Sequence, residues 1–201
     1  MKVLLINGSP HAKGCTYTVL REVAGELEKE NIETEFFHVG IQPIRGCTGC
    51  YSCRKPATAG RCIYSDDPVN FLAEKAAAAD GIVIGSPVHY AGASGAVTSL
   101  LDRMFFSHAG AFRFKPGAVV ASCRRAGSTT ALDQLQKYLT ISEMPVVSST
   151  YWNMVHGMTP EDLAKDGEGM RTMRNLGRNM AWMLMCIEAG KAAGLGLPER
   201  E

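Results

Sequence analysis

Apolar residues follow two rhythms along this chain. Short unbroken runs, Val3-Leu4-Leu5-Ile6, Ile82-Val83-Ile84 and Ala118-Val119-Val120-Ala121, show no alternation and predict strands buried on both faces. Between them apolar positions recur at helical spacing, as at Val19, Leu20, Val23 and Leu27, or at Val97, Leu100, Leu101 and Met104. A longer stripe, Met173, Leu176, Met180, Met183, Leu184 and Ile187, predicts a final helix over 169–193. Ser65-Asp66-Asp67-Pro68 reads as a helix start, with polar caps and a proline near the first helical position. The predicted strands are 2–6, 33–39, 82–85, 118–122 and a short fifth at 145–147. The other helices are 16–30, 68–79, 96–106 and 129–141. The tract 47–62 carries glycine, proline and cysteine and reads as a loop.

Strands alternating with helices predict an α/β fold: a doubly wound, five-stranded parallel sheet with helices on both faces. No repeat or linker divides the chain, so residues 1–201 read as a single domain, with 47–62 as a cysteine-rich loop and 150–201 as a C-terminal extension and helix. Open sheets of this kind bind ligands at the carboxyl ends of their strands. That directs attention to the loops after the first, third and fourth strands.

The first loop, Gly8-Ser9-Pro10-His11-Ala12-Lys13-Gly14-Cys15-Thr16, joins a buried strand to a helix N-terminus and is rich in small and hydroxyl residues. Backbone N–H groups there make an anion site. Cys15 after Gly14 rules out the Gly-Lys-Ser/Thr ending of a Walker loop, and Gly-x-Gly-x-x-Gly is absent, which leaves a phosphomonoester cradle or an ordinary strand–helix turn. The second loop, Pro87-Val88-His89-Tyr90-Ala91-Gly92, is apolar and aromatic and suits the edge of a flat ring; His89 and Tyr90 read equally as a surface histidine and a loop anchor. In the third, Cys123-Arg124-Arg125-Ala126-Gly127, an arginine could face negative charge on a reduced ring or a phosphate, or the pair could be a solvated basic face.

Charge and composition narrow the classes further. With 21 basic and 20 acidic residues the net charge is +1. That speaks against an electrostatic nucleic-acid or membrane binder and against a small, strongly acidic electron carrier. No apolar run approaches the ~20 residues of a membrane span. Met1-Lys2 leads directly into the first strand, so no secretory leader is expected, and seven cysteines without one point to the reducing cytoplasm. Cys123 and Cys186 read as small buried hydrophobes. The other cluster is Cys47, Cys50, Cys53 and Cys62. Two-residue gaps let thiolates converge on an iron–sulfur cluster; a zinc site and free, redox-labile thiols are the alternatives.

Taken together, Gly-Ser-Pro-x(3)-Gly-x-Thr after the first strand, Gly-Ser-Pro-Val-x-Tyr after the third, and Leu101-Asp102-Arg103 resemble the NADPH-dependent FMN reductase family of flavodoxin-like proteins, over residues 1 to about 150. The resemblance implies FMN with its phosphate on the first loop at Ser9, His11, Gly14, Cys15 and Thr16, with Lys13 in the same loop. Cys15 stands where the family pattern carries asparagine and is the weaker donor. The isoalloxazine would lie against Pro87, Val88, His89 and Tyr90, with Arg124 and Gly127 alongside. The cysteine run resembles that of the iron–sulfur flavoproteins, which carry a [4Fe–4S] cluster, although the last gap is eight residues long here. Such proteins often form homodimers or homotetramers, in which Tyr151-Trp152-Asn153 could cover a neighbour's flavin or merely anchor the last helix. The implied activity is electron transfer from NAD(P)H, as co-substrate, through bound FMN to a small-molecule acceptor such as a quinone, flavin or azo compound. The alternative is single-electron transfer from a ferredoxin through the cluster to FMN. No side-chain acid or base is expected, because the flavin carries the chemistry.

Overall fold

The computed structural model describes residues 1–58 and 60–199; Ala59 of the cysteine loop and the last two residues of the C-terminal extension lie outside the described residues. Five parallel strands make the main sheet: β1 (Lys2–Asn7), β2 (Glu33–His38), β3 (Gly81–His89), β5 (Gly117–Cys123) and β6 (Met154–His156), in the order β2-β1-β3-β5-β6. A two-residue strand, β4 (Gly92–Ala93), folds back antiparallel on the end of β3. Helices α1 (Cys15–Lys29) and α6 (Gly167–Ala192) cover one face. The other face is covered by α2 (Val69–Ala78), α3 (Gly95–Phe112) and α4 (Ser128–Ile141). A single turn, α5 (Pro160–Leu163), is closed by a capping box between Thr159 and Asp162. The unalternating runs of β1, β3 and β5 are buried because both faces of the sheet are covered. They feed two separate hydrophobic clusters, one under each helical layer.

The expected fifth strand is corrected. Val146 makes one parallel bridge with Gly117, and the chain then leaves the sheet. It returns as β6, which pairs Ala121, Ser122 and Cys123 with Met154, Val155 and His156. The Asn153 side chain fills the gap, its Nδ2 donating to the Val119 carbonyl at 3.1 Å. The edge strand is thus split, and its longer paired part lies in a stretch that reads as loop from composition. The loop expected after the third strand is likewise partly strand. β3 runs on to His89, and the hairpin turns through Tyr90 (φ 49°) and Ala91 (φ 59°), the left-handed pair that a two-residue hairpin turn requires.

The helices α1 and α6 pack closely at Gly177, where a Cβ would stand 2.6 Å from the Val23 carbonyl oxygen. Beside it the Glu26 side chain, only 5% exposed, pairs with Lys29 at 2.5 Å and Arg178 at 2.8 Å. The Lys29 ammonium, seconded by Arg178, holds the Glu26 carboxyl below the usual carboxylate range. A depressed folded-state value stabilises the fold above the ordinary carboxylate range, and that gain is lost as pH falls through the folded value. From about pH 5 downward, urea midpoints should therefore fall more steeply for the native chain than for Glu26→Gln. Parallel slopes would remove Glu26 from the account.

Candidate FMN cleft and cysteine pocket

The cleft lies at the carboxyl ends of β1, β3 and β5. It is an open cavity of about 790 Å3 lined by the first loop from Ser9 to Thr16, by Pro87 and Val88, by Ser122, Cys123 and Arg124, and by Gly157 to Pro160. Asn7, buried at the end of β1, organises the first loop. Its Oδ1 accepts from the Ser9 amide at 3.1 Å, and its Nδ2 donates to the carbonyl of Ala12 at 3.2 Å. Ser9 Oγ accepts from the His11 amide at 3.1 Å, and the Ser9 carbonyl contacts His38 Nε2 at 2.9 Å. Gly14 caps α1 without a side-chain hydrogen bond, so the first-turn amides stay open to an anion. Thr16 and Ser122 join hydroxyls across the floor at 2.8 Å.

Nine of the expected residues meet in this cleft: Ser9, His11, Lys13, Gly14, Cys15, Thr16, Pro87, Val88 and Arg124. Three do not line it. His89 and Tyr90 sit at the hairpin tip, with Tyr90 fully exposed. Gly127 (φ 85°) caps α4 and packs under that tip, where a Cβ would come within 2.7 Å of Ala91 Cα. Cys15 Sγ lies 4.0 Å from the Gly157 carbonyl, and burial pushes its thiol above the ordinary range. Two contributors escape a reading of the sequence. Asn7 looks like the end of a strand, and the wall at Gly157 to Pro160 is brought in only by β6. The uncapped helix end, the apolar wall at Pro87 and Val88 and the cations Lys13 and Arg124 together suit a phosphate-bearing flat ring such as FMN.

The second site lies against the α2–α3 face. Cys47, Cys50, Cys53 and Cys62 all line one small pocket, closed by Tyr51, Ile63, Tyr64, Arg103 and Phe106. Tyr51 meets Phe106 edge-on at 5.5 Å and shields one side. Ser52 donors pull the Cys50 thiol below its ordinary range, whereas burial pushes Cys53 above it. Among the described residues, no three His, Cys, Asp or Glu side chains gather around one point as a single metal ion requires. Four thiols lining one pocket match the number of ligands that an iron–sulfur cluster or a structural zinc ion takes. Cys123 is buried and Cys186 is exposed, so the expectation that Cys186 is a buried hydrophobe is corrected; it lies on the outer side of α6.

This fold and strand-end cleft define a flavodoxin-like α/β protein, and the solved structures agree. A solved flavodoxin from the domain Archaea superposes with TM-score 0.62 and 13% identity, over 92% of this chain and 99% of that one. The structure of RosB with bound 8-demethyl-8-formylriboflavin-5'-phosphate gives TM-score 0.72 and 17% identity, over 100% of this chain and 91% of that one. At such identities the likeness shows the fold. Residues 1–159 match the model of the NADPH-dependent FMN reductase family, and the chain belongs to that family. An iron–sulfur flavoprotein of Methanocaldococcus jannaschii is 34% identical over 196 residues, 94% of this chain and 100% of that one. Among the described residues no helix is long and apolar enough to cross a membrane.

Proposed function

We propose that this chain is an iron–sulfur flavoprotein that receives electrons singly at the Cys47/Cys50/Cys53/Cys62 pocket and delivers them through FMN to a small-molecule acceptor. The observation that carries this reading is the convergence of all four cysteines on one pocket, in a chain similar along its length to a protein of that name. The cluster and flavin would supply one-electron and two-electron chemistry respectively. The chain's own residues hold and tune them. Ser9, the open amides of Cys15 and Thr16 and Lys13 would bind the phosphate, with His11 beside them, its carbonyl holding the Gly14 amide at 3.4 Å; Pro87 and Val88 would flank the ring.

The donor reading rests on the charge of the loop. Arg45 and Arg61 are paired with Asp66 and Glu74, which leaves Arg54 and Lys55 as the basic rim of the loop, suited to contact an acidic carrier such as a ferredoxin. A second reading, direct reduction by NAD(P)H, is favoured by the openness of the FMN cleft, which leaves room for a second ring over the first. An anaerobic visible spectrum decides between them. Rapid bleaching by reduced ferredoxin and not by NADPH supports the first, and immediate bleaching by NADPH establishes the second. In either case Arg124, which lines the cleft and is exposed, would face charge on the reduced ring. Arg124→Ala should make the flavin harder to reduce by up to about 1 kcal/mol, the scale of an exposed charge pair. An unchanged midpoint potential would remove that role.

A further inference from the structure

Arg103 is the largest fully buried side chain among the described residues, and all of its guanidinium nitrogens are committed to the cysteine loop and its flank. Nε donates to Cys62 Sγ at 3.2 Å. Nη1 donates to the Arg45 carbonyl at 3.1 Å and also meets Asp67, while Nη2 donates to the Tyr64 carbonyl at 2.8 Å. One planar fork thus ties the chain just before Cys47 to the chain just after Cys62 and touches a candidate ligand sulfur directly. The Asp67 side chain is only 5% exposed, and its Oδ1 accepts from the Val69 amide at 3.2 Å, opening α2. The buried cation and counter-ion and the half-buried sulfur form one unit built from α3, the cysteine loop and the start of α2.

From this geometry we infer that Arg103 and Asp67 are an opposed pair of positioning residues that set the reduction potential of the cysteine site, Arg103 raising it through the N–H···S bond and its charge, Asp67 lowering it. The inference rests on the reading of the four cysteines as ligands of an iron–sulfur cluster. Reduction adds negative charge beside Cys62. A hydrogen bond to a ligand sulfur and a buried cation both stabilise that charge, and a carboxylate behind the cation offsets it. Lysine cannot replace this arginine, because the role needs several donors held in one plane.

The test is an EPR-monitored redox titration of the purified full chain, with iron and sulfide analysis, on the native protein, Arg103→Gln and Asp67→Asn. Asparagine keeps an oxygen for the Val69 amide. At the native midpoint, the reduced-to-oxidised ratio should fall about tenfold in Arg103→Gln, equivalent to 59 mV for a one-electron couple. It should rise several-fold in Asp67→Asn. A merely structural role would lower iron content in both without opposite shifts. Unchanged potentials, or shifts of the same sign, overturn the inference while the cluster reading stands. If Arg103→Gln retains no iron, Asp67→Asn decides alone: an upward shift supports the pair, and no shift or a downward one overturns it. A native protein without iron and sulfide overturns the cluster reading and the inference with it, and does so before any variant is compared.

Discussion

Cys53→Ser should purify with its flavin near the native content and its iron reduced to a small residue. The effect is expected to be close to all-or-none, because a cluster needs each of its thiolates and serine is a poor substitute. The flavin is expected to stay because the cysteine pocket and the cleft have no lining residue in common. Iron and flavin measured per chain, with the visible spectrum, check both halves. Full retention of iron would show that Cys53 is not a ligand; joint loss of both would show that the two sites fold as one.

Gly177→Ala should lower the melting temperature by several degrees, through about 2–3 kcal/mol of overpacking. In an open helix the same substitution would stabilise by about 1 kcal/mol. Here the new methyl would strike the backbone of Val23, which cannot rotate away, and the Glu26 Cβ at 2.8 Å. Gly110→Ala in α3 is the matched control, since nothing lies within 4 Å of that Cβ, and it should melt at or above the native temperature. Thermal unfolding followed by far-ultraviolet circular dichroism compares them. Equal behaviour of the two variants would show that α1 and α6 separate without cost.

Much of this fold is legible in the sequence because doubly covered strands leave an unmistakable mark. Val3-Leu4-Leu5-Ile6 and Ala118-Val119-Val120-Ala121 can only be buried on both faces, and the stripe from Met173 to Leu184 can only be one side of a helix. The edge strand is a different case. Val146 looks as strand-like as anything in the core but pairs once, whereas Met154-Val155-His156 pairs fully and carries no such mark, because two buried apolar residues are too few to set a pattern and Asn153 bridges the break. The cleft is legible where backbone matters, at Gly14 and Pro87, since glycine and proline announce local geometry. It is illegible at Asn7 and Met158, whose roles depend on which strand ends lie side by side. Arg103 belongs to a recognisable tripeptide, but nothing in the tripeptide says that its guanidinium reaches back 41 positions along the chain to Cys62.

One helix serves both sites. The Ser94 hydroxyl at the head of α3 donates to the Gly8 carbonyl at 2.8 Å, directly beneath the first loop of the cleft, and the same helix carries Arg103 to the cysteines. At the rise of an α-helix the two points lie about 13 Å apart along its axis. The separation is therefore measured out by a rigid rod and not by a loop. A change of length in the cysteine tract, for example between Cys53 and Cys62, would reshape the mouth of the pocket without altering the span to the cleft.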